Sequence, residues 1–183
     1  MSVFPKPYAD LVARLRVTCG FILVAAFAWF SQPDARSLAW GLPVSALGLA
    51  LRAWATGHVE KNLRLAQSGP YAYVRNPLYL GTLLVAAGFA IASRQWPLAV
   101  LFGVVFLFIY LPAIELEEQH LRKLFPDFAD YARRVPALWP TFSPIQRPER
   151  FRWELYVRNR EYQAFIGFLM GALYLAVRAF TRA

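Results

Sequence analysis

Residues 69–81 read Gly-Pro-Tyr-Ala-Tyr-Val-Arg-Asn-Pro-Leu-Tyr-Leu-Gly and place two prolines, three tyrosines, an arginine and an asparagine against an apolar run. Lipid-facing sequence has no use for so many hydrogen-bonding groups, since each one left unpaired in hydrocarbon is costly. The segment is therefore expected to line a site enclosed by protein. Tyr71, Arg75 and Tyr79 recur at helical spacing, interrupted by Pro77. Asn76-Pro77 has the form of a helix start, because asparagine is a favoured cap and proline suits the first helical position. The same start leaves backbone N–H groups free for a ligand carboxylate or phosphate. Both readings stay open for Asn76.

A second group of candidate residues is acidic. Glu115, Glu117 and Glu118 end a long apolar run, where carboxylates would oppose the helix dipole unless the helix continues past them. Continuation to Phe125 is expected. Glu115 and Gln119 then share a face, and Glu118 can pair with Arg122. The acids are either solvated at the bilayer edge or, for Glu117, hold a cationic ligand. Arg52 lies inside an apolar stretch, where ionisable groups usually face the bundle interior, although it could also snorkel to the interface. His58 follows on the same side, and Arg52 and His58 are candidate substrate contacts. Two isolated histidines and one cysteine, Cys19, give no expected metal site and no intrachain disulfide. No glycine-rich phosphate loop, GxGxxG run or serine elbow is present, so soluble nucleotide-binding folds are not expected.

The elements that must position these residues are apolar helices. Of the 183 residues 58% are hydrophobic and only 17% charged, below the roughly 25% of soluble domains. Mean hydropathy is +0.36. The apolar residues gather into five runs: 17–30, extended N-terminally by the amphipathic Ala9–Arg16, then 38–57, 77–93, 96–114 and 164–180. The expected fold is all-α, a polytopic membrane helix bundle forming a single domain over 1–183. The third and fourth runs are separated by Arg94 and Gln95 alone, which requires a tight antiparallel hairpin. The Met1–Tyr8 stretch carries two prolines and no convincing cleavage site follows, so no removable signal peptide is expected.

Lysine and arginine set the orientation. Lys6, Arg14 and Arg16 precede the first run, and Lys61, Arg64 and Arg75 separate the second from the third. Nine more, from Arg122 to Arg160 and including Arg147, lie between the fourth and fifth, whereas the two remaining loops hold only Arg36 and Arg94. The positive-inside rule then predicts a cytoplasmic N-terminus, with cytoplasmic helical segments between spans four and five. The net charge of +9 is read as this orientation signal and as a contact surface for anionic lipid headgroups, not for nucleic acid. Residues 144–163 alternate arginine with aromatic and aliphatic residues, which suits either an interfacial amphipathic helix or a basic connecting loop. Gly167 and Gly171 form a small-xxx-small pair, a contact within the bundle or between protomers of a homo-oligomer.

Taken together, Gly69-Pro70-Tyr71 and Arg75-Asn76-Pro77-Leu78-Tyr79-Leu80-Gly81 resemble the signature of the isoprenylcysteine carboxyl methyltransferase and phospholipid methyltransferase group. Glu117-Glu118, Leu121, Phe125, Tyr131 and Arg133-Arg134-Val135-Pro136 resemble its second block. The resemblance runs from about Leu51 to Pro140. It implies an integral membrane enzyme using S-adenosylmethionine, with its active site facing the cytoplasm and a lipid-like methyl acceptor. By the same resemblance, Leu63, Arg64, Leu65, Ala66, Tyr71, Asn76, Pro77, Leu78, Tyr79 and Glu117 would contact the cofactor. Arg75, Asn76, Tyr79 and Glu117 would carry the chemistry. Three positions depart from the pattern. Asn76 replaces a histidine, Pro126 stands where glycine is common, and Ala113 occupies the place of an arginine that binds the prenylcysteine carboxylate. The last departure argues against a prenylcysteine acceptor. Two other readings remain: a membrane reductase using NADPH, and a non-catalytic scaffold.

Overall fold

The structure is a computed structural model that describes residues 6–145 and 149–181. Arg147 lies outside these residues, and so do the side chains of Lys6, Arg14 and Arg16. Every regular element among the described residues is helical. The long helices are α1 (Lys6–Phe30), α2 (Ala35–Thr56), α3 (Pro77–Ser93) and α8 (Tyr162–Thr181). A further rod is built from α4 (Trp96–Val105), a π-helical turn (Phe106–Tyr110) and α5 (Leu111–Leu124). Short helices α6 (Phe128–Arg134) and α7 (Trp153–Arg158) follow the rod. Among the described residues, three helices are long and apolar enough to cross a membrane: α2, the 29-residue rod Trp96–Leu124, and α8. The Thr18–Phe30 part of α1 and the whole of α3 are shorter apolar helices.

Local chemistry explains where the helices begin and end. Asp34 caps α2 by accepting from the Ser37 N–H at 2.7 Å, and the Ser37 side chain answers by accepting from the Asp34 N–H at 3.0 Å. Arg94 takes the left-handed conformation (φ 55°) that ends α3, and α4 opens two residues later at Trp96-Pro97. The expected hairpin is thus present, and Arg94 ties it to Asp34 at 2.6 Å. The rod continues past the three glutamates to Leu124, with Arg122 and Lys123 in its last turn to complement the dipole. Pro112 cannot donate to the Phe108 carbonyl one turn back; the Tyr8 hydroxyl does so instead, at 2.6 Å, and ties α1 to the rod beside the π turn.

The tightest contact in the bundle joins α2 to α3. Gly41 and Gly48 face Gly88 and Gly81, and a methyl group added at Gly48 would stand 2.5 Å from the Gly81 carbonyl oxygen. Only glycine lets the two backbones approach this far. Ser37 and Ser45 donate across the seam to the Ala92 and Val85 carbonyls at 2.9 and 2.8 Å. The pair in α8 behaves otherwise: Gly171 sits against Phe89 of α3, and Gly167 faces open space. Among the described residues between Pro144 and Gln163, the amphipathic alternation yields the short helix α7, and α8 begins at Tyr162.

Candidate functional site

The site is built on a fold-back between residues 69–76 and 136–145. Gly69 has φ 57°, a conformation glycine adopts without strain, and a side chain there would also strike the His58 ring. This turn swings Pro70 and Tyr71 into the interior, both buried. A 3-10 helical turn (Gly69–Ala72) follows, and residues 72–76 pair with the segment following α6. Arg75 and Asn76 donate their N–H groups to the Pro136 and Ala137 carbonyls at 2.9 and 3.1 Å, and Thr141 and Ile145 donate back to Tyr73 and Ala72 at 2.9 and 3.3 Å. From α6 the Tyr131 hydroxyl donates to the Tyr71 carbonyl at 2.8 Å. The two blocks of sequence are thereby fixed to each other. Burial raises the pKa of both phenols, and the Glu117 carboxylate adds to the effect on Tyr71; both stay protonated.

Arg75 holds the floor together. Its Nε and Nη2 donate to the two oxygens of Glu118, each at 2.9 Å, and its Nη1 donates to the Ala132 and Val135 carbonyls at 2.9 and 2.6 Å. Glu118 therefore pairs with Arg75 rather than with Arg122, whose guanidinium instead lies over the Phe128 ring. The fork geometry of a buried guanidinium outcompetes an exposed helical neighbour. Asn76 makes no side-chain cap on α3. Its amide nitrogen donates to Glu118 at 2.8 Å and to the Ala137 carbonyl at 3.2 Å, which leaves the first N–H groups of α3 uncapped by it.

Above this floor lies a cavity of about 730 Å³. Its walls bring together Arg52, Arg64, Leu65, Ala66, Tyr71 and Arg75. They also include Asn76, Pro77, Leu78, Tyr79 and Glu117. The Tyr79 hydroxyl donates to Glu117 at 3.1 Å. Gly20, Phe21 and Val24 of α1 and Tyr110 of the π turn make an apolar side, while Val59 to Asn62 form a polar one. Arg52 does face the interior. It forms a two-pronged pair with Glu161 at 2.7 and 3.0 Å and donates to Thr82 at 2.6 Å.

Two expected contacts lie apart from the cavity. Leu63 is 65% exposed and is not part of the wall. His58 is buried and turned the other way, with Nδ1 3.0 Å from the Ser68 hydroxyl, which itself donates to Glu149 at 3.1 Å. Burial lowers the His58 pKa, outweighing the opposing pull of Glu149. Among the described residues no group of three or more His, Cys, Asp or Glu side chains is placed to hold a metal ion. Sequence reasoning missed Glu161, Thr82, His120 and Asn62. Glu161 offered no signal, since its partner lies 109 residues away.

A helical bundle with membrane-length helices and a cavity lined by both charged and apolar side chains defines the class of protein. The model of the phospholipid methyltransferase family matches residues 40–127, a span that contains most of α2 and all of α3, the rod and Glu117. The chain is 32% identical over 154 residues to the cobalt-zinc-cadmium resistance protein CzcN of Cupriavidus metallidurans, covering 79% of this chain and 69% of that one. It is 31% identical over 151 residues to the nickel-cobalt-cadmium resistance protein NccN of Alcaligenes xylosoxydans xylosoxydans, covering 76% and 71%. This chain belongs to the phospholipid methyltransferase family. No solved structure matches it.

Proposed function

We propose that this protein is a membrane methyltransferase that takes its methyl group from S-adenosylmethionine and serves an acceptor entering from the bilayer. One observation carries the reading: the segment 69–81 and the Glu117 region, distant in sequence, line a single cavity. Its volume of about 730 Å³ lies in the usual range for small-molecule sites, and its lining suits this cofactor's mixture of charges. Glu117, steadied by Tyr79, offers a carboxylate to a cationic group. Lys61 on the rim and the uncapped start of α3 offer donors to a carboxylate. Leu65, Leu121 and Phe128 supply apolar surface for a ring. Leu78, Pro77 and Ala66 add to that wall, and Tyr71 stays a neutral phenol beneath it.

When bound, the cofactor supplies an electrophilic methyl group on a positively charged sulfur. The protein's part is to hold the donor and acceptor in line and keep water out, which accounts for much of such a rate. The arginines take a smaller share than their number suggests. Arg75 and Arg52 are each committed to a carboxylate of the chain, so they position walls rather than bind an anionic substrate. We infer further that α1, α2, α3, the rod and α8 give five crossings with a cytoplasmic N-terminus, as the lysine and arginine bias indicates. The cavity then opens on the cytoplasmic side, next to a basic surface suited to anionic lipid.

Calorimetric titration of the detergent-solubilised protein with S-adenosylmethionine tests this. Saturable binding is expected, together with its loss in Glu117→Ala. No saturable binding to the unaltered protein, or equal binding by the variant, removes the proposal.

A further inference from the structure

The cavity wall carries a histidine that the proposed reading leaves idle. His120 projects from α5 three residues after Glu117, so the helix turns both into the same cavity. Its Nε2 lies 3.2 Å from the side-chain oxygen of Asn62. Asn62 sits on the opposite wall in the left-handed conformation, φ 61°, which asparagine tolerates better than most residues. The turn that carries it is closed by the Leu63 and Arg64 N–H groups, which donate to the Glu60 carbonyl at 3.2 and 3.3 Å. An amide oxygen accepts and cannot donate, so Asn62 fixes the proton of the neutral ring on Nε2. The lone pair is then on Nδ1, which has no hydrogen-bond partner among the described residues. An imidazole oriented through one nitrogen and free at the other is the arrangement of a general base.

We propose that His120, oriented by Asn62, is the proton acceptor of this enzyme, and that the methyl acceptor is accordingly an amphiphile bearing an N–H, O–H or S–H group rather than a carboxylate. The inference rests on the methyltransferase reading above. The lone pair of the acceptor heteroatom forms the new bond to the methyl carbon. The carbon–sulfur bond of the sulfonium donor breaks and its electron pair stays on sulfur, leaving a neutral thioether. The proton of the acceptor passes to His120 Nδ1, giving an imidazolium, so one positive charge stands on each side of the step. A carboxylate acceptor would need no such group, because it carries no proton to lose. Glu117 also faces the cavity, but a carboxylate is ordinarily a much weaker base than an imidazole near neutral pH.

The chain has only two histidines, His58 and His120, so nitrogen-15 NMR of histidine-labelled protein resolves them once His120→Gln identifies its own signals. The protein without ligand should show His120 protonated at Nε2, and Asn62→Ala should turn it into a mixture of tautomers. Methyl transfer is then measured from radiolabelled S-adenosylmethionine to dodecylamine, dodecanethiol or dodecanoate in detergent micelles. Expected are transfer to the amine or the thiol and not to the carboxylate, a slowing of about 100-fold or more in His120→Gln, and unchanged affinity for S-adenosylmethionine in that variant. Methylation of dodecanoate, methylation of none of the three, full activity in His120→Gln, or His120 protonated at Nδ1 overturns the inference. Absence of S-adenosylmethionine binding to the unaltered protein instead overturns the reading beneath it.

Discussion

Glu117 and Glu118 are neighbours in sequence, and the structure gives them opposite tasks, so replacing each by alanine should separate stability from binding. Glu118 accepts three hydrogen bonds, two from Arg75 at 2.9 Å and one from Asn76 at 2.8 Å. The Arg75 and Glu118 side chains are only 14% and 16% exposed. Removing one partner of a buried ion pair costs about 3–5 kcal/mol, because the other charge is left without its counter-charge. Arg75 keeps its two carbonyl acceptors, Ala132 and Val135, which puts Glu118→Ala near about 3 kcal/mol. For a chain of this length each kcal/mol corresponds to about 2–4 °C, so the melting temperature should fall by about 6–12 °C. Glu117 has an exposed side chain that receives a single phenol, and Glu117→Ala should melt close to the unaltered protein. Intrinsic tryptophan fluorescence during heating in detergent reads both. Equal losses from the two variants, or none from Glu118→Ala, refutes the division.

Three other outcomes follow from the same coordinates. Tyr79→Phe removes the hydroxyl that steadies Glu117, and should weaken S-adenosylmethionine binding by about 5- to 10-fold in a calorimetric titration, the loss of one exposed hydrogen bond of about 1 kcal/mol. Gly48→Leu forces a side chain into the Gly81 backbone and should leave little monodisperse protein on gel filtration, whereas Gly167→Leu meets nothing within 4 Å and should purify and melt normally. The lowered pKa of His58 means that the unfolded chain binds more protons than the folded one as pH falls below the ordinary value of 6.5. The contribution of His58 to stability is therefore present above that value and lost below it as pH falls through the folded pKa, so His58→Gln should flatten the acid side of the melting profile.

Much of this was legible because the relevant signals are local. The five apolar runs became helices near their expected limits, since Asp34, Pro77, Arg94 and Pro97 mark ends by backbone chemistry alone. The continuation of the rod past Glu115 followed from the dipole argument. Partner choice was not legible. Arg122 lay one turn from Glu118, and helical spacing favoured it, but Arg75 reaches the same carboxylate from another element with two parallel bonds. The glycine seam did leave a trace, in that Gly41 and Gly48 repeat the spacing of Gly81 and Gly88. That match becomes meaningful only when α2 and α3 are known to lie antiparallel in contact. The pair in α8 shows the converse: the same residue types are visible, yet Gly167 touches nothing.

The arrangement of charge around the cavity gives the strongest reason to expect a cation there. Three arginines line it, and each is answered by carboxylates of the chain: Arg52 by Glu161, Arg75 by Glu118, and Arg64 by Glu60 and Glu149. Glu117 differs from all of these acids, for among the described residues no arginine or lysine lies within ion-pair distance of it, and a phenol is its recorded donor. Adjacent residues on a helix point about 100° apart, so a rod that aims Glu118 at the floor must aim Glu117 elsewhere, here toward Tyr79 and open space. A carboxylate beside apolar walls, with its field not cancelled by a fixed cation, favours a positively charged ligand more than one in bulk water does. A neutral occupant would gain nothing from Glu117, and an anionic group is served only by Lys61 and the start of α3. The same reasoning favours the proposed enzyme over a scaffold: a protein that only held partners together would have no need to leave one acid unanswered while neutralising every arginine around it.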